Sequence, residues 1–149
     1  MRMSKPVTLP LAVTHEVRDS CLCLHVQRAA RSLARSFDDA LRPLGLTSGQ
    51  FSLLMSLNRP DAPSIGQVAG VLAMDRTTLT ANVKPLERRC LIKVGVDPND
   101  KRSRRMSLTP AGKKLLAAAY PVWKRTQRGL ERRLPGSAGE LRAMLHRLL

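Results

Sequence analysis

The 149-residue chain carries 26 Lys and Arg against 11 Asp and Glu, a formal net charge of +15, and that excess points to a polyanionic partner. No apolar run is long enough to span a bilayer and no signal peptide is recognisable, so one cytoplasmic domain without membrane insertion is expected, a membrane surface being the competing polyanion. The four aromatics, Phe37, Phe51, Tyr120 and Trp123, all fall in segments that read as helix, which disfavours modules that stack single-stranded bases and favours a reader of duplex.

In chain order, residues 1–15 read as a flexible N-terminal arm. From Glu16 to Leu41 the residues Leu22, Val26, Ala29, Ala30, Leu33, Phe37 and Leu41 follow the helical period, and Pro43 with Gly45 closes the segment. A second helix opens at Thr47 with Gln50 as its capping partner and stops at Pro60 to Pro63. Ser64 and Gln67 form another capping box, and Ile65, Val68, Ala69 and Leu72 mark one buried face of a short helix.

After a break near Ala73 to Asp75, a further helix is capped by Asp75 and places Leu79, Val83, Leu86 and Cys90 in one narrow apolar arc. The pair has a helix-turn-helix layout. The opposite arc carries Thr77, Ala81, Lys84 and Arg88, flanked by Thr78 and Thr80. Small residues let such a helix approach a major groove, hydroxyls meet base edges or phosphates, and cations bind the backbone. Pro85 is expected to bend the last turn, ending the groove-reading part before it.

Leu91 to Val96 and Arg105 to Leu108 then read as two strands of a hairpin around a loop with four cations and two carboxylates, Asp97, Asp100, Lys101, Arg102, Arg104 and Arg105. The loop is either a DNA-binding wing or a solvated charged turn. Arg104 and Arg105 alternate across the returning strand, so one of them is expected to meet phosphate. Thr109 and Pro110 open a long helix to about Leu134 that Pro121 kinks, and Ser137 caps a last helix with Leu141, Met144, Leu145, Leu148 and Leu149.

The terminal helices carry more apolar surface than one small domain covers, which suggests a homodimer; the alternative is a monomer that packs them on its own core. Three cysteines and no signal argue for reduced thiols. Cys21 and Cys23 point in different directions on a helix, and His15, His25 and His146 show no metal spacing. His25 with Cys21 is an i, i+4 pair that could bind metal across a dimer. No cofactor is expected. No phosphate loop, nucleophile elbow or catalytic constellation is found, so an enzyme is not expected.

Taken together, Leu44-Gly-Leu-Thr47 with Gln50-Phe51, Ser64-Ile65 with Val68-Ala69, Asp75 to Thr80 with Val83-Lys84 and Leu86-Glu87, Asp97-Pro98 with Asp100-Lys101-Arg102, and Leu108-Thr109 with Gly112 resemble the multiple-antibiotic-resistance regulator (MarR) family. The resemblance spans residues 16–149 and implies a mainly α winged helix-turn-helix fold with a small β-hairpin. It implies a DNA-binding lobe at about 47–110 and dimerisation helices at about 16–42 and 110–149. It also implies a homodimeric regulator of double-stranded palindromic DNA, released by a small phenolic or aromatic effector, by an organic hydroperoxide or by other thiol oxidation. Its DNA-binding residues would be Ser64, Arg76, Thr77, Thr78, Thr80, Ala81, Lys84, Arg88, Asp100, Lys101, Arg102 and Arg104. Arg102 would enter the minor groove, with Asp100 holding its guanidinium.

Two departures stand out. Cys90 occupies the place of a glycine that ends the reading helix, and a positive φ there would strain it. Cys23 matches the reactive cysteine of the hydroperoxide-sensing branch, but the partner tyrosines are replaced by Gln27 and Phe37; Arg28 and Arg31 are the substitutes at hand, and a small buried hydrophobe is the alternative. From another class, a sequence-indifferent architectural binder would need no more than the net charge.

Overall fold

A computed structural model describes residues 8–149, leaving the first seven residues of the expected N-terminal arm outside the described residues. The chain forms two compact units, residues 1–34 and 35–149. In the first, α1 (Leu11–Ser20) is followed by the beginning of α2 (Leu22–Leu41). The expected arm is therefore helical from Leu11, and the single helix expected from Glu16 is broken at Cys21, where ψ of 104° leaves the helical region. Two local bonds account for the break. Ser20 Oγ donates to the Glu16 carbonyl at 2.6 Å, and Cys21 Sγ accepts from Leu24 N–H at 3.5 Å in the place of an N-cap oxygen.

The second unit follows the expected order. After the rest of α2 and a 3-10 turn at Arg42–Leu44 come α3 (Ser48–Ser56), α4 (Ile65–Val71), α5 (Arg76–Arg88), strands β1 (Ile92–Val96) and β2 (Arg104–Leu108), then α6 (Pro110–Glu131) and α7 (Ala138–His146). The strands pair antiparallel with Val94 opposite Met106. Each expected cap is formed: Thr47 and Ser64 make full capping boxes with Gln50 and Gln67, and Asp75, Thr109 and Ser137 accept backbone N–H groups of their own helices. Helix α6 ends at Glu131, three residues short of the expected Leu134, and runs through Pro121. The core of this unit draws Leu41, Leu53, Leu54, Val68, Leu79, Leu86 and Met106 to complete burial, with Phe51 stacked on Trp123 at its edge.

Three turns share one geometry. Leu46 N–H reaches the Leu41 carbonyl and Gly45 N–H the Arg42 carbonyl; Met74 and Ala73 repeat the pattern on Ala69 and Gly70, and Leu91 and Cys90 on Leu86 and Glu87. These are Schellman closures, whose next-to-last residue is left-handed. Gly45 takes φ 66° freely, but Ala73 at 49° and Cys90 at 55° hold a Cβ against the carbonyl. The strain anticipated at Cys90 is present. Cys90 lies beyond the end of α5 and is exposed, which corrects its expected place in the buried arc; Leu79, Val83 and Leu86 alone fill it.

Helix α6 meets the hairpin through Gly112. A Cβ there would stand 2.0 Å from the Leu91 carbonyl oxygen, which already accepts from Thr109 N–H and Oγ. The wing is anchored differently. Met106 N–H donates to the Pro63 carbonyl, Arg105 Nη1 donates to the Ala62 carbonyl at 2.8 Å, and Arg105 Nε pairs with Asp97 at 2.8 Å. Asp97 is the buried charged residue of the described chain, and the Asn99 backbone N–H, followed by Arg105, holds its carboxyl below the usual carboxylate range against the opposing effect of burial.

Gly112→Ala should destabilise the fold by about 3 kcal/mol, because backbone must move, while Cys90→Gly should stabilise it by about 1 kcal/mol by relieving the left-handed strain. Thermal melting of the two variants should therefore shift in opposite directions, down by roughly 10 °C and up by about 3 °C. Because the Asp97 carboxyl binds its proton more weakly folded than unfolded, its contribution is whole above about pH 4 and is lost as pH falls through the lower folded value. In urea titrations the stability gap between wild type and Asp97→Asn should be constant from pH 7 to 5 and narrow as pH falls below about 4. A gap independent of pH would remove Asp97 from the wing's anchoring.

Candidate nucleic-acid interface

With Leu79, Val83 and Leu86 held in the core, α5 turns Arg76, Thr77, Thr78, Thr80, Ala81, Lys84 and Arg88 to solvent. The side chains on this face are not equivalent. Thr78 Oγ donates to the Asp75 carboxylate at 2.6 Å and Thr80 Oγ donates to the Arg76 carbonyl at 2.8 Å, so both hydroxyls are already engaged by α5 and its cap. Thr77 has no such internal bond among the described residues. Its hydroxyl, the Ala81 methyl and the Lys84 and Arg88 cations form the stripe whose size and chemistry suit a groove.

Asp75 sits at the head of that helix. The Thr78 hydroxyl and then the Thr78 backbone N–H hold its carboxyl below the usual range, so it stays ionised as a cap at the positive end of the helix. Ser64 is similarly occupied, its oxygen accepting from Gln67 N–H. Pro85 does not end α5; the helix continues to Arg88, and its last turn is tied down by Arg89, whose Nη1 donates to the Gly45 carbonyl at 2.7 Å.

In the wing, Asp100 does not hold the Arg102 guanidinium. Its Oδ1 accepts the Arg102 backbone N–H at 2.9 Å, and its carbonyl accepts from Ser103, so it builds the turn that presents Lys101 and Arg102 to solvent. Two-residue spacing lets a carboxylate close on the backbone before it can reach along its neighbour's long side chain. Arg104 is exposed, bonded only to carbonyls of the loop, while Arg105 is consumed by Asp97 and Ala62. Sequence reasoning did not find the carbonyl partners of Arg105 or Arg89. Ala62 and Gly45 lie 43 and 44 residues away and offer only main-chain carbonyls, which leave no trace in residue identity.

In the first unit, Cys23 is exposed. Gln27 Nε2 donates to its Sγ at 3.3 Å, and Arg31 Nη2 donates to Gln27 Oε1 at 3.2 Å. Arg31 therefore reaches the thiol through Gln27. In the second unit, an open groove of about 390 Å³ runs between α3 and α6, lined by Met55, Asn58, Lys113, Leu116, Ala117 and Tyr120.

No helix among the described residues is long and apolar enough to cross a membrane. Residues 46–103, which hold both helices of the helix-turn-helix and the wing, match the MarR family. The chain is 37% identical over 98 residues to the transcriptional regulator HosA of Escherichia coli O111:H-, spanning 64% of this chain and 71% of that protein. Its fold superposes on the Mycobacterium tuberculosis transcriptional regulator MosR in complex with DNA with a TM-score of 0.80 and 33% identity, covering 87% of this chain and 93% of that one. A further likeness is to Bordetella bronchiseptica BpsR, whose DNA binding is regulated by 6-hydroxynicotinic acid, at a TM-score of 0.74 and 25% identity, covering 85% and 97%. An exposed reading helix and wing on a fold shared with a DNA-bound relative lead to one assignment: the chain belongs to the MarR family of winged helix-turn-helix transcriptional regulators, which are DNA-binding proteins and not enzymes.

Proposed function

We propose that this protein is a homodimeric repressor that reads a palindromic operator in the cytoplasm and is released by a small aromatic ligand or by oxidation of Cys23. The observation that carries the reading is the face of α5, where core burial leaves Thr77, Ala81, Lys84 and Arg88 exposed in the same unit as a wing whose tip presents Lys101 and Arg102. The helix suits the major groove, with Thr77, Thr78, Thr80 and Ala81 against bases and Arg76, Lys84 and Arg88 toward phosphate. Arg102, free of Asp100, suits a narrow minor groove where negative potential concentrates; Lys101 and Arg104 stand beside it for the backbone. Ser64 would contribute at the start of α4.

Dimerisation is supported by exposed apolar side chains on the terminal segments, Leu22, Val26 and Leu33 on α2 and Met144, Leu145, Leu148 and Leu149 at the C-terminal end. Two routes of release have separate support. The groove between α3 and α6 combines apolar walls and the Tyr120 ring with the Lys113 cation and the Asn58 amide, which suits a planar anionic ligand. At Cys23 the Gln27 amide, itself held by Arg31, donates to a sulfur that would take the terminal oxygen of an organic hydroperoxide to become a sulfenic acid, the O–O bond breaking and the alcohol leaving.

Fluorescence anisotropy on the DNA upstream of its own coding region should show a preference of about 10³-fold or more over scrambled duplex. Arg102→Ala should weaken binding and relax preference at A·T-rich flanks, whereas Lys84→Ala should reduce the salt dependence by about one ion with preference kept. Loss of binding on hydroperoxide treatment that Cys23→Ser abolishes identifies the thiol route; loss caused by an aromatic carboxylate in both proteins identifies the groove. Equal affinity for both duplexes would instead make the protein a sequence-indifferent architectural binder.

A further inference from the structure

Gly66 occupies the first turn of α4, and the guanidinium of Arg76, the first residue of α5, rests upon it. A methyl group built on Gly66 would stand 3.0 Å from Nη2, 3.6 Å from Cζ and 3.8 Å from Nε of Arg76. The charged group thus lies across the glycine at the point where a side chain would begin. The backbone of Gly66 is helical, so conformational freedom does not call for glycine here, and glycine in a helix is disfavoured relative to alanine. What the position provides is space for Arg76.

The guanidinium so placed is exposed and has no carboxylate or carbonyl partner among the described residues. The nearest acid in sequence, Asp75, is occupied by Thr78. Its donors are therefore available to an outside anion, and a guanidinium fork matches two phosphate oxygens. In a helix-turn-helix the first helix crosses the DNA backbone while the second enters the groove. An arginine that begins the second helix and lies back over the first stands on the phosphate side.

We propose that Gly66 is a positioning residue for DNA binding: by lacking a side chain it lets the Arg76 guanidinium lie across α4, where it takes a backbone phosphate of the bound duplex. This rests on α5 being the groove reader. The contact is independent of base sequence, so its removal lowers affinity on operator and scrambled duplex alike and lowers the salt dependence by about one released counterion.

The test is a salt titration of anisotropy on both duplexes for wild type, Gly66→Ala, Gly66→Leu, Arg76→Ala and the double variant Gly66→Leu with Arg76→Ala, with a thermal melt of each. Arg76→Ala should lose about 0.9 from the slope of log affinity against log salt, Gly66→Leu should match it, and Gly66→Ala should fall between it and wild type. The melting temperature of both glycine variants should be unchanged or raised, and the double variant should bind no more weakly than Arg76→Ala. An unchanged slope for Arg76→Ala overturns the phosphate contact, and it does so without any glycine variant. A Gly66→Leu loss that persists in the Arg76→Ala background overturns the positioning role, since it would act on the DNA directly. Preference of wild type for its own upstream DNA alongside either result leaves the regulator reading standing, whereas absence of that preference overturns the regulator reading and leaves the phosphate contact to be decided by the salt slopes alone.

Discussion

The rotation of one helix about its own axis decides what this molecule can touch. Leu79, Val83 and Leu86 are at 0%, 4% and 0% exposure, and burying each contributes about 2 kcal/mol from apolar area alone. Turning α5 by a quarter revolution would bring Lys84 or Thr80 toward the core and leave a leucine in water, at a penalty of several kcal/mol. The polar stripe is thus fixed by its opposite face. Asp75 sets where the helix begins, and the Arg89 bond to the Gly45 carbonyl holds its far end.

The ends of that helix pair are made by backbone closures that tolerate strain. The turn between α4 and α5 passes through Ala73 at a positive φ, and the turn from α5 into β1 passes through Cys90 in the same region. Each closure satisfies two carbonyls at a helix end and sets the direction of the next element, and that directional role outweighs a local strain of about 1 kcal/mol. The wing follows the same logic with side chains. Arg105 is a cation that the charge pattern would assign to DNA, yet Asp97 and the Ala62 carbonyl use it to fasten the hairpin to the loop before α4. Arg104, one position earlier and on the other side of the strand, stays exposed.

The features legible in the sequence are those that depend on near neighbours. Capping boxes at Thr47 and Ser64, the cap at Asp75 and the Thr109-Pro110 helix start each require residues no more than three apart, and the structure forms all of them. The apolar period of α5 was readable too, up to Cys90, where the helix had already ended and the period no longer applied. The break at Cys21 is not legible in the sequence, because nothing in composition marks it; it depends on Ser20 back-bonding to Glu16 and on a thiol accepting an amide. Asp100, whose spacing suggests a side-chain partner, serves a main-chain N–H instead, the commoner fate of a carboxylate two residues before its partner. Gly66 gave no signal, because its significance lies in a guanidinium ten residues away that needs its empty volume.

Charge and shape act at different ranges in this protein. The net charge of +15 draws any duplex toward the molecule and contributes affinity without discrimination. In the proposed function, discrimination comes from the Thr77 to Arg88 stripe in one groove and Arg102 in the next. Dimethyl sulfate probing of the DNA upstream of its own coding region, with and without protein, tests that division most directly, since it methylates guanine N7 in the major groove and adenine N3 in the minor groove. Docking of two α5 helices predicts two patches of protected guanine N7 about one helical turn apart, each flanked by protected adenine N3 where Arg102 enters. Protection of adenine N3 alone, or an even pattern along the duplex, would contradict it.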